Sequence, residues 1–181
     1  MPPPTDGLTL RHTAQLGPAA LVEVRRLLDV CFDEGFGDAD WDHALGGLHA
    51  LVHVDGALVA HGSVVQRRLL HHGRALRAGY VEAVAVHPAA RRRGHGSAVM
   101  AALEDVVRRG YDAGALGATD DGAPLYAARG WQPWRGSTWA LTPSGRIRTP
   151  DDDEAVFVLP GTATLDLDGE LTCDWRDGDL W

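Results

Sequence analysis

A mixed α/β domain, with helices on both faces of one central sheet, is the fold class this 181-residue sequence predicts. Three observations predict it. Between residues 48 and 86, two short turns, Asp55-Gly56 and His72-Gly73, divide three apolar runs, the pattern of an antiparallel meander. Apolar residues recur at helical spacing before and after that block. Finally, strand-like and helix-like segments alternate along the chain, so both kinds of element must share one core.

The elements follow in order. Residues 1–7, rich in proline, are expected to form a mobile tail, and 8–12 (LTLRH) a short first strand. Residues 18–32 read as a helix opened by Pro18, with Ala20, Leu21, Val24, Leu27, Leu28 and Cys31 on one face. A second short helix is expected over 38–45, closed by Gly46-Gly47. Strands are then expected at 48–54, 57–70 and 74–86; the last is nearly all apolar or small, as in a strand covered on both faces, and Pro88 ends it. Val99, Ala102, Leu103, Val106 and Val107 mark an amphipathic helix. A strand at 112–118, a short helix at 122–130 and a strand at 155–160 complete the reading, which is one continuous domain over 8–181.

A net charge of -8 argues against nucleic acid as a partner and suits a cationic one. Two cysteines, Cys31 and Cys173, make no disulfide framework, which fits reduced thiols and a cytoplasmic protein. No secretory leader and no membrane span are expected. The nine histidines show no paired-ligand spacing. His71 and His72 are expected to point apart as strand neighbours, and no metal is expected.

Against this acidic background, Arg91-Arg92-Arg93-Gly94-His95-Gly96-Ser97 concentrates positive charge and bare backbone at a strand-to-helix junction. Residues 66–109 hold nine arginines against three acids. A helix start presents unpaired N–H groups to an anion. Glycine lets the backbone approach without a Cβ, and guanidinium groups and the Ser97 hydroxyl add donors. A solvated basic loop would explain three arginines alone; the whole arrangement points to a phosphate site. It lacks the GK[ST] of a P-loop and the three glycines of a dinucleotide fingerprint.

Arg91-x-x-Gly94-x-Gly96, after VEAVAVHP and before a long helix, resembles the acetyl-CoA signature of the GCN5-related N-acetyltransferases. LYAARGW at 125–131 is similar to that superfamily's second signature. Further stretches, WDHALGGLHALV, RAGYVEAVAV, RTPDDD and the C-terminal CDWRDGDLW, resemble the aminoglycoside 2'-N-acetyltransferases, from about residue 8 to the end. The resemblance implies acetyl-CoA as cosubstrate in a cleft at splayed central strands. The loop backbone from Arg91 to Ser97 would hold its pyrophosphate, and the main chain of Val84, Ala85 and Val86 its pantetheine arm. It also implies an aminoglycoside or similar amino-sugar substrate, and a homodimer.

Glu82 is the only acid in the 74–86 run, and a carboxylate on a central apolar strand is costly unless paired or functional. In a regular strand it would share a face with Tyr80, Val84 and Val86. It is therefore the candidate base, acting through water, or the anchor of the substrate ammonium; pairing with Arg77 is the structural alternative. By resemblance Tyr126 is the acid for the departing thiolate, although a buried tyrosine is more often a core aromatic. Residues 151–181 hold ten acids and one arginine. The resemblance places Asp40, Glu82, Asp152, Asp179 and the Trp181 carboxylate around the polycationic substrate. Gly35 stands where the family has an aspartate, and Gly117 where a serine would touch the drug. Two further readings stay open: the same chemistry on another amine, such as a cell-wall amino sugar, or a module that sequesters drug without turnover.

Overall fold

A computed structural model describes residues 6–181, the side chain of Glu34 apart. The expected tail lies outside the described residues as far as Thr5, and its last two positions are ordered. Asp6 accepts a hydrogen bond from the Gly56 amide, and Gly7 already opens the first strand.

The chain forms two compact units, one built from residues up to Val65 with Val81–Asp105, the other from Gln66–Tyr80 with Val106–Trp181. In the first, strand β1 (Gly7–His12) pairs antiparallel with β2 (Leu48–Val54), and β2 with the first half of β3 (Ala57–His71). Helix α1 (Pro18–Phe32) starts at its proline and ends where Asp33 turns into the left-handed region. It buries Val24, Leu27 and Leu28 against Leu51, Leu58 and Ala85, with Cys31, Phe32, Phe36 and Trp41 closing over them. The short α2 (Asp38–His43) follows, and its first turn is capped by Asp40, whose Oδ2 accepts from the Gly37 amide at 2.7 Å. The second half of β4 (Arg74–Val86) and the start of α3 (His95–Gly110) complete this unit.

In the second unit β4 pairs parallel with β5 (Ala113–Gly117), a geometry that needs a crossover, which α3 supplies. Helix α4 (Ala123–Ala128) and strand β6 (Gln132–Pro133) follow. The hairpin β7 (Thr138–Thr142) and β8 (Gly145–Arg148) comes next, then β9 (Val156–Pro160) and β10 (Leu171–Cys173). Their order across the sheet is β6-β9-β5-β4-β3-β10-β7-β8. Three-residue β10 runs antiparallel to β3 and parallel to β7, so it joins the late hairpin to the sheet. Trp134, fully buried, donates its indole N–H to the Gly169 carbonyl.

The mixed α/β sheet is the one expected, and the limits of α1, β2 and β4 coincide with the sequence reading. Two expectations are corrected. His72 has a φ of 48°, so it belongs to the turn rather than the strand, and its ring lies 4.1 Å from that of His71 instead of pointing away. Likewise β4 is not regular, because Ala83 has a φ of 49°. A left-handed residue inside a strand breaks the two-residue alternation, so Glu82 and Val84 do not share a face by simple register. The Val84 side chain instead lies beside Gly62, with Val99 and Leu103.

Candidate active site

The arginine–glycine junction folds into a strand end, a single 3-10 turn (Pro88–Ala90) and the start of α3. Arg92 and Gly94 both have positive φ, 62° and 83°. Left-handed residues alternating with ordinary ones turn successive N–H groups toward one point, which makes an anion nest. A Cβ built on Gly94 meets nothing within 4 Å, so its glycine answers to backbone conformation and leaves the face open. Arg91, Arg92, Arg93 and Gly94 are exposed, Ser97 is exposed in the first helical turn, and His95 and Gly96 are half-buried. The Arg91 Nε donates to the Val86 carbonyl at 3.3 Å, tying the loop to the end of β4. These features fit a phosphorylated carrier on this loop.

Before the loop, Glu82 and Val84 are half-buried and Ala85 is buried. Arg77, the alternative partner weighed for Glu82, pairs with Asp112, which also accepts from the Arg77 amide at 2.8 Å. Behind Glu82 runs a buried polar chain. The Gly46 amide donates to Thr13 Oγ1 at 2.9 Å, and Thr13 Oγ1 lies 2.8 Å from His49 Nε2. His49 Nδ1 lies 2.9 Å from His61 Nε2, and His61 Nδ1 lies 2.9 Å from the Ala83 carbonyl. Burial lowers the His49 pKa to about 4, and burial together with His49 lowers that of His61 to about 3. Nothing in the residue pattern marked these histidines, since each sits in an apolar strand as any core residue would.

In the second unit Tyr126 is buried in α4, its ring 6.3 Å from those of Trp131 and Phe157. Burial pushes its pKa up to about 12, so the phenol is protonated at neutral pH. Both thiols are also held in their neutral form by burial, Cys173 with a pKa raised to about 11. Neither is a thiolate suited to nucleophilic attack at neutral pH.

Three of the expected substrate acids meet here. The carboxyl of Asp152 is pushed above the usual range, first by burial and then by the charges of Asp179 and Asp151. Beside Asp152, Thr149 Oγ1 accepts from the Trp181 indole N–H at 3.0 Å. A Cβ on Gly117 would lie 3.3 Å from the terminal carbonyl carbon of Trp181, so the glycine in the serine position lets the chain terminus abut β5. Asp40 belongs to the first unit, where one of its oxygens caps α2. Gly35, by contrast, has open space at its Cβ position.

What fixes the tail is Arg67, which the sequence did not single out. Its side chain is 5% exposed. Nε donates to Asp174 Oδ1 at 2.8 Å, Nη1 to the Leu180 carbonyl at 2.8 Å and Nη2 to the Asp174 carbonyl at 3.0 Å. The guanidinium lies 4.7 Å from the Tyr80 ring centroid, a cation–π contact. The terminal loop is thus docked without any ligand. Among the described residues no cluster of three metal-ligating side chains occurs, and no helix is long and apolar enough to cross a membrane.

Known proteins place this arrangement. The family model described as the acetyltransferase (GNAT) domain matches residues 15–134. A curated protein of Mycolicibacterium fortuitum, named aminoglycoside 2'-N-acetyltransferase, is 51% identical over 176 residues, 95% of this chain and 90% of its own. Eis1 from Mycobacterium abscessus is 20% identical, with a TM-score of 0.59 over 75% of this chain, which spans only 33% of that protein. A GNAT family acetyltransferase from Brucella melitensis, solved with acetyl-CoA, is 15% identical with a TM-score of 0.60, covering 92% of this chain and 96% of its own. The two structural likenesses speak for the fold, and the family match and the curated relative for descent. On that ground the chain belongs to the GNAT acetyltransferase family.

Proposed function

We propose that this protein transfers the acetyl group of acetyl-CoA to the 2'-amine of aminoglycoside antibiotics, by direct attack in a ternary complex, and so confers resistance. The observation that carries the reading is the 51% identity to an aminoglycoside 2'-N-acetyltransferase along 95% of the chain. Convergence of Asp152, Asp179 and the Trp181 terminus, with an Asp152 pKa raised partly by neighbouring charge, supports a polycationic ligand on that side.

Acetyl-CoA supplies the activated acetyl thioester. The nest at Arg92–Ser97 binds its pyrophosphate, and the main chain at Val84–Val86 orients the pantetheine arm. Glu82 removes a proton from the substrate ammonium through a water, freeing the nitrogen lone pair to bond to the acetyl carbon. Tyr126, kept protonated by burial, gives its proton to the sulfur as the carbon–sulfur bond breaks. Asp40, Asp152, Asp179 and the Trp181 carboxylate steer and hold the other ammonium groups. No residue is acetylated on the way. The reading extends, through the resemblance, to one cytoplasmic domain acting as a homodimer without metal, and sedimentation of the purified protein tests the dimer.

Thiol release from acetyl-CoA, measured with paired aminoglycosides bearing a 2'-amine or a 2'-hydroxyl, tests the activity. Release with the 2'-amino member alone is expected. Equal release with both would overturn the assigned position, and silence at high enzyme concentration would favour drug sequestration.

A further inference from the structure

The buried chain from Gly46 to Ala83 has only one consistent assignment of protons at pH 7, and that assignment has a direction. A carbonyl oxygen only accepts, so His61 Nδ1, 2.9 Å from the Ala83 oxygen, carries the proton. Its ring being neutral, Nε2 is bare and accepts, so the proton between the two rings sits on His49 Nδ1. That leaves His49 Nε2 bare, to be met by the Thr13 hydroxyl at 2.8 Å, while the Gly46 amide donates into the same hydroxyl oxygen. A second proton on the pair would set two N–H groups head to head across 2.9 Å. The chain ends on an amide carbonyl, which passes no proton on. It is therefore not a proton wire.

What it can do is hold the Ala83 peptide. Ala83 is the one residue of β4 with a left-handed φ, 49°, in a non-glycine whose Cβ disfavours that conformation. The residue before it is the assigned base, and the residues after it carry the acyl arm. We propose that His61 is a positioning residue for acetyl transfer: its Nδ1–H, oriented by His49 and Thr13, pins the Ala83 carbonyl so that the kink presents Glu82 and the main chain of Val84–Val86 in their working geometry. This inference rests on the proposed acetyl-transfer reading for its consequence, and on the hydrogen-bond chain for its geometry.

The two parts are tested separately in the full-length protein. Long-range proton–nitrogen correlation spectra at pH 7 should show His49 and His61 both neutral and both protonated at Nδ1; an Nε2–H form of His61 would overturn the inference whatever the enzyme's activity. Kinetics then compare His61→Leu with His61→Asn, whose amide N–H₂ takes the place of Nδ1–H. For a folded His61→Leu, kcat should fall about tenfold or more, with the KM for aminoglycoside changed less than about twofold. His61→Asn should recover most of that loss. Wild-type kcat in His61→Leu would overturn the positioning role, as would failure of His61→Asn to recover activity in a protein that melts like wild type. A wild-type enzyme without turnover would count against the acetyl-transfer reading alone, and the spectra would still decide the histidine chain.

Discussion

At Tyr126 a single property, a phenol held protonated by burial with a pKa of about 12, qualifies the side chain as a proton donor. Tyr126→Phe keeps the ring contacts with Trp131 and Phe157 and removes only the proton, so kcat should fall about 10²-fold with little change in melting temperature. Glu82→Gln should lower kcat/KM by a similar factor and remove the acidic limb of its pH profile; rates that stay unchanged across pH would deny Glu82 its role. Asp152 offers a test of opposite sign. Its carboxyl is buried and crowded by Asp179 and Asp151, and a cationic ligand relieves that repulsion. Asp152→Asn should therefore raise the melting temperature of the unliganded protein while weakening aminoglycoside binding, the exchange of stability for function common at binding sites. Calorimetry with and without drug reads both effects. Glu82 was legible in the sequence because it is the lone acid of an apolar run. The kink beside it was not, because an alanine carries no turn signal.

The loop from Arg91 to Ser97 works as an element, through the conformations of Arg92 and Gly94 together. Gly94 has open space at its Cβ position, so a larger residue there costs backbone strain alone, about 1–2 kcal/mol for an L-residue forced left-handed. Gly94→Val should raise the KM for acetyl-CoA about tenfold and leave the KM for the amine nearly unchanged. The same separation of hairpin, loop and helix made these elements readable in sequence: glycine turns bound β2 and β3, and apolar periodicity marks α1 and α3. The late elements were hidden for a physical reason. β10 has three residues and is stabilised by strands on both sides, so its pairing comes from contacts distant in the chain rather than from local preference.

Across the whole molecule the charges are sorted: arginines gather around the phosphate loop and acids toward the C-terminus. That division was visible in the sequence, but its anchor was not. Arg67 stands in a strand where nothing local distinguishes it, and its bonds to Asp174 and Leu180 span more than a hundred residues. Removing one partner of a buried charge pair costs about 3–5 kcal/mol, so Arg67→Ala should destabilise the protein strongly and loosen the tail. Stability should also fall in acid. His49 and His61 are neutral in the folded protein, with pKa values of about 4 and 3, and His12 adds to the penalty on His49. Unfolded histidines take up protons near pH 6.5. The folded state thus keeps its full advantage above that pH and loses it as pH falls toward 4. Melting temperatures from pH 7.5 to 4.5 should show the drop, with a flatter profile in a His49→Gln/His61→Asn double variant.

The most direct measurement is the position of the new acetyl group. Purified protein, acetyl-CoA and a 2'-amino aminoglycoside should yield one monoacetylated product, whose two-dimensional NMR spectrum places the acetyl on the 2'-nitrogen. Acetylation at any other amine, or unchanged drug beside intact acetyl-CoA, would contradict the assignment.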